Sequence, residues 1–291
     1  MKLELIEFNA IDGVKLNGYI NRGTKDNKSV LIEIHGMTSN CFKEREKTIA
    51  QIVENIGLDT ICINTRGSEI CRYIKYEDGK KVLAGTAYED VEDSYYDILG
   101  VLKYAIELGY TSIYLQGHSL GATKVIYTYL KMKELNCLET QYIKGILLLS
   151  LVDLPDIFDT YSDKKFIKYA EEKEINNDNL SLMPSEAFIH PISVKTYLRY
   201  TKYNKNIDFA QFSKENNDFQ EINKIDVPIF MRWGDTKELI KNSANKQVEL
   251  MKNKIKNTQK DIGYIMGADH TYTKKENELA NQIAMFLNKY N

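Results

Sequence analysis

Apolar and polar positions alternate with period two at the start of the chain. Residues 2–9 and 14–20 therefore read as two strands, joined by a turn at Asp12-Gly13. A polar loop spans 21–28. Apolar runs then alternate with helical patterns. Strands are predicted over 29–34 and 58–64 and at Ile113-Tyr114-Leu115, with helices over 41–54, 88–108 and from about 120 onward. The 88–108 helix carries Glu89, Asp90, Glu92 and Asp93 in its first turns, where acids favour the dipole, and Gly109 is a plausible stop. Residues 65–87 read as irregular. Residues 145–152, GILLLSLV, are the most apolar run and suit a central strand covered on both faces. This alternation argues for a mostly parallel sheet with right-handed crossovers.

The pattern breaks between 154 and 222. That segment is rich in Asn, Lys, Glu and aromatics (Phe158, Tyr161, Phe166, Tyr169, Phe188, Tyr197, Tyr200, Tyr203, Phe209 and Phe212), and Pro184 and Pro191 interrupt it. Strands resume over 228–233, opened by Pro228, and 261–266, with helices over 238–255 and 275–289. Leu279, Ile283 and Phe286 give the last helix an apolar face. Residues 1–153 and 223–291 are thus expected to form one α/β core. Residues 154–222 are expected to be a mainly helical cap that supplies one wall of a substrate pocket.

The 291 residues suffice for one large α/β domain with an insertion, or for two small domains. Net charge is −2, from 39 basic and 41 acidic residues that are interspersed, so neither nucleic acid nor a membrane surface is an expected partner. No run reaches membrane-spanning length, and the first residues are not a signal peptide. Cys41, Cys62, Cys71 and Cys137 lack CxxC spacing and a paired His. They read as free thiols of a cytoplasmic protein, with no metal and no cofactor expected.

Candidate chemistry centres on residues 112–127, SIYLQGHSLGATKVIY. Gly117-His118-Ser119-Leu120-Gly121 falls between a predicted strand and a predicted helix, which is the context of a nucleophile elbow in α/β-hydrolases. The pattern alone is weak; the strand-turn-helix context gives it weight. Ser119 is the candidate nucleophile. His35-Gly36 ends an earlier strand, so the N–H of Met37 is one expected oxyanion donor and that of Leu120 the other. His270 follows the last predicted strand, where the chain order Ser, acid, His requires the base. The usual spacing puts the acid at Lys237, which cannot serve. Glu238 is favoured, with Asp235 as the alternative and Asp153 as a more distant one. The expected reaction is hydrolysis of a carboxylic ester or thioester through an acyl-enzyme. An acyltransferase on the same scaffold, or a non-catalytic binding protein, are the alternatives. Arg66 after the 58–64 strand is expected to pair with a neighbouring carboxylate.

Residues 85–98 (GTAYEDVEDSYYDI), 114–130 (YLQGHSLGATKVIYTYL), 145–150 (GILLLS), 190–198 (HPISVKTYL) and 267–287 (GADHTYTKKENELANQIAMFL) carry a family resemblance. From Ser29 onward the chain resembles the α/β-hydrolase superfamily. More narrowly it looks like a bacterial branch akin to fungal siderophore-esterase-type hydrolases. The resemblance implies an α/β-hydrolase fold with a helical cap, Ser119 as nucleophile and His270 as base. The chain departs from the pattern at Lys237, where relatives tend to carry Asp.

Overall fold

The computed structural model describes residues 3–23, 27–201, 207–212, 214 and 216–291. Lys2, residues 24–26 and Tyr203, which belong to expected elements, lie outside the described residues. The strands are β1 (Leu3–Asn9), β2 (Lys15–Asn21), β3 (Ser29–Ile34), β4 (Asp59–Asn64), β5 (Arg72–Lys75), β6 (Lys81–Ala84), β7 (Ser112–His118), β8 (Ile143–Leu149), β9 (Ile229–Gly234) and β10 (Lys260–Ile265). The helices are α1 (Glu44–Asn55), α2 (Ser94–Glu107), α3 (Leu120–Glu134), α4 (Leu154–Tyr161), α5 (Phe166–Ile175), α6 (Val194–Thr201), α7 (Ala244–Lys254) and α8 (Glu276–Tyr290).

Eight strands form one sheet in the order β1-β2-β4-β3-β7-β8-β9-β10. The β1–β2 hairpin and the β2–β4 pair are antiparallel; from β4 to β10 every pairing is parallel. Period-two alternation in β8 sends Ile146 and Leu148 to one face of the sheet and Leu147 and Leu149 to the other. All four are fully buried, and each contributes roughly 1.5–3 kcal/mol. The first face packs on α2, α3 and α7, the second on α1 and α8. Covering both faces explains why this strand is apolar throughout. Among the described residues no helix is long and apolar enough to cross a membrane.

Three elements differ from the sequence expectation. Residues 65–87 are not wholly irregular: β5 and β6 form an antiparallel hairpin around the Asp78-Gly79 turn, with Gly79 at φ 84°. The helix expected from 88 begins at Ser94, after short 3-10 turns at Thr86–Tyr88 and Val91–Asp93. Asp93 takes the N-cap position of α2, while the other three acids lie before the helix, and all four meet cations from elsewhere. Glu89 pairs with the fully buried Lys124 of α3. Asp90 lies 2.5 Å from Lys195 and Glu92 pairs with Arg199, both cations on α6. Arg66 takes Asp97 at 2.8 Å, Asp12 at 2.9 Å and Asp93 at 3.7 Å. Finally, the helix expected from 238 begins after Ser243, whose hydroxyl accepts the Lys246 N–H at 3.4 Å as an N-cap. Residues 235–243 are left as a loop, which matters for the site.

Between β8 and β9, helices α4, α5 and α6 share one apolar cluster above the sheet's C-terminal edge. It includes Leu154, Ile157, Phe158, Phe188 and Tyr197, together with Leu120 from the start of α3. Met37 and Leu239 pack against it from the core.

Candidate active site

β7 delivers Ser119 to the sheet edge at φ 54°, ψ −122°, a conformation L-residues rarely adopt. The turn is possible because its flanks are glycines. A Cβ on Gly117 would stand 2.2 Å from the Gly121 carbonyl oxygen, and one on Gly121 would stand 2.3 Å from that of Ile34. The turn holds Ser119 by two backbone bonds: its N–H donates to Leu149 at 2.8 Å and its carbonyl accepts from Ala122 at 2.9 Å. Leu120 is the first residue of α3, so its N–H has no acceptor within the helix and lies at the positive dipole end.

Met37 lies across the same cavity, in the loop after β3. His35 governs how that loop is held. Its Nε2 accepts the Thr65 N–H at 3.2 Å, so its Nδ1–H donates to the Gly36 carbonyl at 2.9 Å. The Gly36 carbonyl and the Met37 N–H belong to one planar trans peptide and point in opposite directions. Anchoring the first therefore aims the second. His35 stays neutral: burial, then the Lys124 charge, push its pKa down to about 3.

His270 stands in the loop after β10 with its ring between two partners. Its Nε2 is 2.9 Å from Ser119 Oγ, and its Nδ1 bonds Glu238 Oε1. With Nδ1 carrying the proton, Nε2 is free to accept from the serine. Glu238 sits in the 235–243 loop, and its side chain is 4% exposed. Burial alone would raise its carboxyl pKa. The His270 contact and the Gly234 and Leu239 N–H groups outweigh that, so the pKa lies below the usual value. Oε2 accepts Gly234 N–H at 2.9 Å and Oε1 accepts Leu239 N–H at 3.0 Å. Asp235 is exposed and turned away; it accepts the Gly267 N–H at 2.6 Å and ties two loops together. Asp153 accepts the Asp156 N–H at 3.3 Å as the N-cap of α4. Lys237, at the expected acid position, is exposed at φ 50°.

A cavity of about 590 Å³ opens over Ser119 and His270. Met37, Leu120, Val152, Leu154, Ile157 and Phe188 give it an apolar side, and Lys43, Glu44, Thr271, Thr273 and Glu276 a polar one.

No protein-family model matches the chain, and no curated protein sequence does. Solved structures do. Est1E from Butyrivibrio proteoclasticus with bound ferulic acid is 20% identical at a TM-score of 0.68, over 97% of this chain and 98% of that one. DcsB in complex with its substrate analogue is 11% identical at 0.70, over 99% of both chains. A soluble variant of monoglyceride lipase from Saccharomyces cerevisiae, in complex with a substrate analogue, is 15% identical at 0.64, over 97% of this chain and 94% of that one. Together with the strand order and the strand-turn-helix at Ser119, these decide the architecture. The chain has the α/β-hydrolase fold.

Within that fold, three residues near His270 escaped the sequence reading. His118, the variable position before Ser119, donates its Nε2–H to the His270 carbonyl at 2.7 Å. Burial, with Arg45 and His270 nearby, holds it neutral, well below the usual histidine pKa. Ser150 follows β8 at φ 45°, and its Oγ lies 2.8 Å from Glu238 Oε2, 3.3 Å from the His270 carbonyl and 2.9 Å from the Tyr272 hydroxyl. Tyr272 in turn donates to the Arg232 carbonyl at 2.8 Å. None carries a local motif. Each is tied to the site by contacts across 40 residues or more of sequence, apart from Tyr272's place two residues after His270.

Proposed function

We propose that this protein is a serine hydrolase of carboxylic esters or thioesters, with Ser119 as nucleophile, His270 as base and Glu238 as the orienting acid. The observation that carries the reading is the hydrogen-bonded line from Ser119 Oγ through the His270 ring to Glu238. Ser119 Oγ attacks the acyl carbon and its proton passes to His270 Nε2. The N–H groups of Met37 and Leu120 receive the oxyanion. His270 Nε2–H then protonates the leaving oxygen, and the alcohol departs from an acyl-Ser119. Water attacks that acyl group, gives a proton to His270, and the acid is released with Ser119 restored. Helices α4–α6 act as a cap over the acyl-enzyme. The neighbours described above, Est1E with bound ferulic acid and a monoglyceride lipase with a substrate analogue, are consistent with ester chemistry.

A fluorophosphonate probe is expected to label Ser119, and short p-nitrophenyl esters to turn over, both lost in Ser119→Ala. Folded protein that does neither is not a serine hydrolase. Product analysis with added alcohols separates hydrolysis from acyl transfer. Ester-linked siderophores are a substrate to assay on the strength of the sequence resemblance.

A further inference from the structure

The cavity over Ser119 has two unlike walls, and the stereochemistry of acyl transfer assigns one to each part of the substrate. Three groups radiate from the acyl carbon. The carbonyl oxygen must reach the N–H groups of Met37 and Leu120. The leaving oxygen must reach His270 Nε2, because that atom protonates it. The acyl chain takes the direction that remains, away from the His270 loop.

The His270 side is polar and open. Thr271 and Thr273 are exposed, their hydroxyls 2.9 Å apart, and both line the cavity with Glu276, Lys43 and Glu44. The opposite side is mostly apolar, with Tyr161 and His190 as the polar residues that the insertion adds to it. Leu120 and Met37 belong to the same apolar packing as Leu154, Ile157 and Phe188. Phe188 is held flat from behind: its ring stacks on Phe158 at 4.4 Å and 6°, and Phe158 stacks on Tyr200 at 4.5 Å and 12°. Such a wall offers dispersion over most of its area, with polar groups from the insertion at Tyr161 and His190.

We propose, resting on the hydrolase reading above, that the substrates are esters of an apolar carboxylic acid with a polar, hydroxylated alcohol. The acyl chain lies beneath α4–α6 against Leu154, Ile157 and Phe188. The alcohol lies by Thr271 and Thr273, open to solvent. The insertion is therefore the specificity element for the acid, and the His270 loop with the start of α1 is the one for the alcohol.

Two substrate series test this. In p-nitrophenyl esters from acetyl to hexanoyl, kcat/KM is expected to rise with each methylene, by up to about fourfold for complete burial. Phe188→Ala is expected to lower the hexanoyl-to-acetyl ratio. With hexanoate fixed as the acid, the glycerol monoester is expected to be cleaved in preference to hexyl hexanoate, and Thr273→Val to reduce that preference. A flat or falling acyl series overturns the assignment, and so does a preference for the hexyl ester. Those outcomes differ from failure of the hydrolase reading itself, in which no ester turns over and the fluorophosphonate does not label Ser119; that result removes both.

Discussion

Replacing Glu238 by Gln is the sharpest perturbation of the proposed triad. The carboxylate is surrounded by donors: His270 Nδ1–H and Leu239 N–H at Oε1, Gly234 N–H and the Ser150 hydroxyl at Oε2. An amide presents only one oxygen to these four groups. If its NH2 faces His270, the ring must accept at Nδ1 and carry its proton on Nε2, where it can no longer take the proton of Ser119. If the NH2 faces the other way, the Gly234 N–H is orphaned, and the charge that stabilises the imidazolium is lost in either case. Converting the carboxylate of a Ser-His-Asp triad to an amide lowers kcat by about 10⁴. The corresponding expectation here is a loss of about 10³–10⁴ in kcat, or about 4–5.5 kcal/mol, with little change in KM. Asp235→Asn is the matched control. Asp235 is exposed and bonds only the Gly267 N–H within this site, so kcat is expected to change by less than about threefold, as for most surface substitutions. Steady-state kinetics on a p-nitrophenyl ester, with circular dichroism to verify folding, would measure both. Near-full activity in Glu238→Gln alongside a large loss in Asp235→Asn would falsify the assignment of the acid.

Two further outcomes follow from the geometry. Ser150→Gly removes a hydroxyl from Glu238 while suiting φ 45°, so kcat should fall about tenfold with KM nearly unchanged, as expected for a lost bond to a charged group; unchanged kcat would mean that Ser150 does not position Glu238. His35 is neutral in the fold, with a pKa lowered from 6.5 to about 3, so the unfolded chain binds its proton first and stability falls as pH drops below 6.5. By about pH 5.5 this costs roughly 1.4 kcal/mol, which His35→Gln should not lose. The buried carboxyls of Glu33 and Asp97, raised by burial, pull the other way but equally in both proteins; identical pH dependence of the two melting temperatures would refute the account.

What the sequence determined by itself was whatever short-range chemistry imposes. The Ser119 turn needs its two glycines because backbone atoms approach within 2.3 Å of where side chains would be. The strands carry their positions in period-two and all-apolar patterns, and the order of Ser119 before His270 follows from the order of those strands. Tertiary structure decided what depends on where loops meet. Position 237 is where local spacing places an acid, yet the loop runs on until Ser243 caps α7, and so Glu238 reaches His270 while Asp235 is spent on Gly267. The acids at 89–93 looked like helix-terminal charges, but their partners are Lys124, Lys195, Arg199 and Arg66, brought in from three other parts of the chain. Ser150 and His118 bond the His270–Glu238 pair across 88 to 152 residues of sequence. A side chain's role in such a network is set by distance in space, and only a packed sheet brings those positions within hydrogen-bonding reach.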